Sequence, residues 1–134
     1  MRNHYDYMLD ANVIVQYLVE EDEAQFVVAS EIIENKKCFV TVQILCEVVY
    51  ILEKRYNVSR EDIYISLVGL SRIVDYESGD IYMAALSAYV DKPKLDISDC
   101  LLYAYNLLYG IPVFTFDKKL NKKIDRVNST NDEE

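Results

Sequence analysis

Cys38-Phe39-Val40-Thr41, followed without a break by Val42-Gln43-Ile44-Leu45-Cys46-Glu47-Val48-Val49-Tyr50-Ile51-Leu52-Glu53-Lys54-Arg55, decides the fold class. The first four residues read as a short apolar strand. The rest carries helical spacing, with Val42, Ile44, Leu45, Val48, Val49, Ile51 and Leu52 leaving little room for a wet face. A strand that feeds straight into an apolar helix is the start of a strand–crossover–strand unit. Glu47 stands in the middle of that helix. Either it points out at the helix edge between two apolar ridges, or it is buried, and a buried carboxylate costs several kcal/mol unless a cation or donors meet it (about that scale). Lys54 and Arg55 lie beyond the i+4 reach, so a buried Glu47 would need a partner from elsewhere in the chain.

Working outward, the same alternation recurs. His4 to Asp10 reads as a first strand, with Tyr5, Tyr7 and Leu9 alternating. Asn12 to Val19 reads as a helix, the acidic knot Glu20 to Glu23 interrupts it, and Ala24 to Asn35 is a second helix with Phe26, Val27, Ile32 and Ile33 inward. Past the Glu47 helix, Ser59 with Asp62 makes an N-cap for a helix over Arg60 to Gly69. Arg72 to Tyr76 is a third strand and Gly79 to Val90 a further helix. Asp91 to Lys94 is a loop. Asp96 to Tyr109 is a helix capped by Asp96 or Ser98 and closed by Gly110. Ile111 to Phe116 is a fourth strand, as apolar as a buried parallel strand, and Lys118 to Ile124 a short last helix. The expectation is an α/β fold with a parallel sheet covered on both faces, as one domain over residues 1–125 with a polar acidic tail over 126–134. Ligands of such sheets sit at the carboxyl ends of the strands.

Composition narrows the chemistry. The chain has 134 residues and 51% hydrophobic content, ordinary for a globular domain. No apolar run reaches bilayer length, and the polar start, Met1 to Asp6, lacks a signal-peptide pattern, so a cytoplasmic protein is expected. Three scattered cysteines, Cys38, Cys46 and Cys100, argue against a disulfide framework or zinc site. The single histidine, His4, cannot build a His-based metal site or a Ser-His triad. Any catalysis must therefore run on carboxylates. Net charge is −9, yet residues 118–126 hold Lys118, Lys119, Lys122, Lys123 and Arg126 against Asp125, a local +4. Such a run is either a solvated helix face or a place for phosphates.

Four acids fall near one rim of the expected sheet. Asp10 ends the first strand, Glu47 is on the helix after the second, Asp99 is in the first turn of the helix before the fourth, and Asp117 ends the fourth. Singly, each has an ordinary role as a cap, turn or first-turn acid. Gathered, they repel by about 4 kcal/mol per close pair at an effective dielectric near 20, so a cation would be needed to hold them. Oxygen donors without His or Cys suit Mg²⁺ or Mn²⁺.

Leu9-Asp10-Ala11-Asn12, the helical Glu47, Asp96-Ile97-Ser98-Asp99-Cys100 and Thr115-Phe116-Asp117 together resemble the PIN-domain family, above all the toxin ribonucleases of bacterial and archaeal toxin–antitoxin modules. The resemblance runs from Tyr5 to about Ile124. It implies a three-layer α/β/α sandwich around a parallel sheet of four or five strands, and Mg²⁺- or Mn²⁺-dependent RNA cleavage. Carried over by position, Asp10, Glu47, Asp99 and Asp117 are the acidic quartet, with Asp10 and Asp99 as direct ligands. Asn12 and Thr115 support the Asp10 and Asp117 carboxylates; Asp96, by its own position before the helix, is a cap rather than a ligand. Lys118, Lys119 and Lys122 are placed to receive RNA phosphates. An antitoxin partner and a homodimer are implied in the same way. Cys100 stands where the family usually has a smaller residue, and the acidic pI of about 4.6 is low for an RNA binder. Two other readings compete: a haloacid-dehalogenase-like phosphohydrolase with Asp10 as nucleophile, and a non-catalytic module that only binds protein. A receiver-like signalling module fits less well, since the first strand offers only Asp10.

Overall fold

The computed structural model describes residues 4–124; the expected acidic tail, with Asp125 and Arg126, lies outside them. The chain falls into two compact units, one ending at Gly79 and one beginning at Asp80.

The first unit is a three-stranded parallel sheet with helical crossovers. Its order is β1 (Tyr7–Met8), β2 (Cys38–Val40) and β3 (Asp75–Tyr76), with β2 in the centre. The register pairs Tyr7 with Cys38 and Met8 with Phe39, then Phe39 with Asp75 and Val40 with Tyr76. Helices α1 (Ala11–Val19) and α2 (Glu23–Asn35) join β1 to β2, and α3 (Val42–Lys54) and α4 (Arg60–Leu70) join β2 to β3. Helix α1 packs on both α2 and α3, and α3 packs on α4.

Each helix starts where a side chain takes up free backbone N–H groups. Asp22 caps α2 through Gln25 N at 3.0 Å, Thr41 caps α3 through Ile44 N at 3.3 Å, and Ser59 caps α4 through Asp62 N at 3.2 Å. Glu20 closes α1 in the left-handed conformation, at φ 60°. The acidic knot is thus the end of one helix and the cap of the next. Ile14, Ile33, Val40, Leu45, Val48, Val49, Ile63 and Leu67 fill the core of this unit at 0–1% exposure.

Two expectations about apolar faces are corrected here. Helix α3 is one-sided: Leu45, Val48, Val49 and Leu52 are buried, while Gln43, Glu47, Tyr50 and Lys54 form an exposed stripe at helical spacing. Glu47 is therefore in water and needs no buried partner. On α2, Ala29 and Ile33 face inward, but Val27 is 60% exposed. Counting apolar residues overstated the buried arc, because side chains such as Tyr50 tolerate water on one edge.

The strands are shorter than expected. Beyond the β1 ladder, Asp6 N donates to Lys37 O at 2.8 Å and Leu9 N to Phe39 O at 3.1 Å. Residues 72–74, expected to open the third strand, form a turn off α4 in which Val74 N donates to Leu70 O at 3.1 Å.

The second unit contains α5 (Gly79–Asp91), α6 (Ile97–Tyr109) and α7 (residues 118–124). Tyr109 Oη donates to Asp80 at 3.0 Å, and Lys92 Nζ lies 4.8 Å from the centre of the Tyr103 ring, so α5 and α6 run in opposite senses. Tyr82, Leu86, Tyr89, Leu95, Cys100, Ala104 and Leu120 are fully buried. Gly110 closes α6 at φ 66°, a conformation open to glycine at little cost.

The fourth strand is the main correction. The described sheet has three strands, not four or five, and Ile111 to Phe116 forms no ladder. Phe114 and Phe116 are each 89% exposed. Two backbone carbonyls of this run are taken by side-chain amides instead. Asn106 Nδ2 donates to Ile111 O at 2.9 Å, and Asn121 Nδ2 donates to Thr115 O at 2.8 Å. Acceptors satisfied in this way do not require a neighbouring strand.

Candidate active site

In the first unit one candidate acid, Asp10, lies just past the carboxyl end of a strand, and the other, Glu47, does not. Asp10 follows β1 and caps α1, its Oδ1 accepting from Ala11 N at 2.8 Å. Carried past the ladder, the sheet register sets Asp10 beside Thr41 and Thr41 beside Glu77. Glu77 was missed in the sequence. Its Oε1 accepts from Val42 N at 3.0 Å and its own N–H donates to Val40 O at 2.9 Å, so it ties the end of β3 to the start of α3. The signal was there: an acid one residue beyond a strand end. Glu47 lies farther off, five residues into α3, which is about one and a half turns and about 7.5 Å along the axis from the helix start. Asn12 is exposed, and among the described residues it makes no hydrogen bond to Asp10.

In the second unit three acids come together. Asp96 caps α6 by accepting from Asp99 N at 2.8 Å, and Asp99 closes the box by accepting from Asp96 N at 3.4 Å. Burial, first, and then the neighbouring Asp96 charge push the Asp99 carboxyl above its ordinary pKa, with Asp117 adding to the rise. The Asp96 backbone N–H works against them. Like charges nearby disfavour the ionised form and raise a carboxyl's pKa.

Asp117 is delivered by the unladdered run. Thr115 Oγ1 accepts from Asp117 N at 3.0 Å, so Thr115 holds the backbone of Asp117 rather than its carboxylate. Asp117 Oδ1 accepts from Lys119 N at 2.8 Å and Leu120 N at 3.1 Å, capping α7. Asp10 and Asp96 thus have the capping roles expected of them singly, Asp99 is the expected first-turn acid and also completes a capping box, and Asp117, expected as a turn residue, caps α7.

These roles do not use up the oxygens. Among the described residues, Asp10 and Asp117 each spend Oδ1 on a cap and leave Oδ2 without a hydrogen-bond partner. A carboxylate locked by one oxygen and open at the other suits a hard divalent cation, and the candidate donors are all oxygen. Among the described residues no three His, Cys, Asp or Glu side chains are already placed to hold a metal ion. The fit thus lies in donor type, open oxygens and the crowding at Asp99.

Residues 7–126 match the PIN domain. The chain belongs to the PIN-domain family. No curated protein matched the sequence. The family is generally one of divalent-metal-dependent nucleases, hydrolases that act on nucleic acid. The α/β fold with a parallel sheet is that of this family. Among the described residues no helix is long and apolar enough to cross a membrane.

Proposed function

We propose that this PIN domain is an endoribonuclease that uses Mg²⁺ or Mn²⁺ and acts as the toxin of a toxin–antitoxin pair. The observation that carries the reading is the match to the PIN domain over residues 7–126, with Asp96 and Asp99 paired in one capping box and Asp117 keeping one carboxylate oxygen open. Acids within reach of one another, in a chain matched to this family over nearly its whole length, are what a cation site requires. Asp10, Glu47, Asp99 and Asp117 act as one set, residues 1–125 working as one domain. Without an ion between them, close carboxylates repel by about 4 kcal/mol per pair at an effective dielectric near 20.

When bound, the ion supplies positive charge to the phosphate oxygens and makes water a better nucleophile near neutral pH. Asp10 and Asp99 hold the ion. Asp117, fixed through Oδ1, offers Oδ2 as a ligand or steadies its neighbours. Glu47 holds the ion or takes the proton from the attacking water, a role its exposed position permits. Attack at phosphorus breaks the bond to the 3′ oxygen, leaving a 5′ phosphate and a 3′ hydroxyl. Lys118, Lys119 and Lys122 receive the phosphates that flank the scissile bond.

In the cell the protein is cytoplasmic, forms a homodimer, and is held inactive by a cognate antitoxin protein. The test of the activity is cleavage of single-stranded RNA in Mn²⁺ by the wild-type chain and by Asp10→Asn. Cleavage by the first and a loss of at least a hundredfold in the second is expected. Equal cleavage by both would remove Asp10 from the chemistry.

A further inference from the structure

A second, basic feature adjoins the acids of the second unit. A cavity of about 280 Å³ is lined by Lys94, Leu95, Lys118, Lys119, Lys122 and Lys123. Sequence alone shows the run at 118–123, but Lys94 comes from the loop before α6, more than twenty positions upstream. Apolar anchors hold both sides in place. Leu95 is fully buried, and its N–H donates to Lys92 O at 3.0 Å, fixing the turn that carries Lys94. Leu120 and Ile124 are buried at i, i+4 spacing, which turns the lysines of α7 to the other face.

Among the described residues nothing neutralises the charge at this cavity. No acid lines it, and among the described residues none of the five lysines forms an ion pair. Five ammonium groups around one concavity repel unless an anion sits between them. The chain as a whole carries −9, so this is a concentrated positive site on an acidic protein. Its volume exceeds the roughly 30 Å³ share of a single water several times over, giving room for a phosphate and part of its sugar. The cavity is also joined to the acids through the backbone: Lys94 and Leu95 run into Asp96, and Asp117 runs into Lys118.

We propose that Lys94 closes this lysine cavity into a seat for one backbone phosphate of single-stranded RNA, next to the phosphate that is cut. The choice of RNA as occupant rests on the nuclease reading; the phosphate seat itself rests on the cavity. The seat recognises no base. It holds the strand in register through charge, as phosphate contacts do. Lys94, which does not belong to the acidic set, is a positioning residue.

The test separates the two readings. Binding of a fluorescent single-stranded oligoribonucleotide to the full chain is followed by anisotropy in EDTA, so that no cleavage intervenes, across roughly 50 to 200 mM salt. For Lys94→Ala the slope of log K against log salt falls by about 0.7, the value for one phosphate contact on a single strand. Lys94→Arg keeps the wild-type slope, as does Lys54→Ala, which removes an exposed lysine from α3. A wild-type slope in Lys94→Ala, or no binding of the oligonucleotide by the wild-type chain, would overturn the proposal. So would displacement of the RNA by an oligo-glutamate of equal charge as readily as by unlabelled RNA, which would mark a seat for acidic protein segments. If the slope falls as expected but Mn²⁺ elicits no cleavage, the seat stands and the nuclease reading fails.

Discussion

Two apolar runs of this chain, Cys38–Val40 and Ile111–Phe116, look alike in sequence and end differently. The shorter one is the central strand of the sheet, with Cys38 and Val40 at 2% and 0% exposure and a parallel neighbour on each side. Among the described residues the longer one joins no ladder, and it leaves two phenylalanines almost wholly in water. Hydrophobicity does not separate them; the destination of their backbone groups does. The β2 amides and carbonyls meet other strands, whereas Ile111 and Thr115 give their carbonyls to the Asn106 and Asn121 side chains. The first run organises a core. The second delivers Asp117, through the Thr115 turn, to the acids at the start of α6.

The comparison predicts unequal costs. Val40→Asp puts an unpaired carboxylate at the centre of the sheet, and several kcal/mol lost there (about that scale) is a large part of a small domain's stability. The expected result is loss of the cooperative thermal transition; a wild-type melt would show that β2 is not the organising strand. Asn106→Leu removes the amide that occupies Ile111 O inside a buried position. It should cost about 1–3 kcal/mol in denaturant unfolding, with faster amide exchange over 111–117, and a neutral result would leave the unladdered run without its tether.

Smaller effects follow at the acids and the phenylalanines. The folded Asp99 carboxyl sits above its ordinary pKa, so its charge opposes folding at neutral pH. Asp99→Asn should raise Tm by about a degree or two there. The sign follows from linkage: the penalty is present above the raised folded pKa. It fades as pH falls through that value and is gone below roughly 4, where the unfolded carboxyl is protonated too. A Tm gain that grew at low pH would contradict the crowding. Phe114→Ser, at an 89% exposed site, should change unfolding free energy by no more than about 0.5 kcal/mol. A larger loss would mean that the run is buried in solution after all, and the comparison with β2 would collapse.

The sequence revealed more about ends than about faces. Caps were legible because the chemistry is local: Ser59 with Asp62, Asp96 before its helix and Gly110 after it all stand as read, since one side chain and one or two N–H groups decide each. The wet stripe of α3 was hidden because Tyr50 scores as apolar, yet it flanks Glu47 on the exposed face. The fate of 111–116 was hidden because it depends on Asn106 and Asn121, two amides outside the run whose reach no periodicity encodes. Glu77 stands one residue beyond Tyr76, the strand end as read, but its tie to Val42 N reaches across 35 positions and no local pattern contains it. Of the candidate site, the identity of each acid was readable, as was its first role at a helix start. Whether the acids share an ion is a long-range property that no local pattern contains.

That sharing is the central claim, and calorimetric titration of the apo chain with Mn²⁺ tests it most directly. The wild type should bind with a measurable heat, and Asp10→Asn and Asp99→Asn, one from each unit, should each abolish it. If either variant keeps the wild-type heat and affinity, those two acids do not hold a common ion, and the account of the site is wrong.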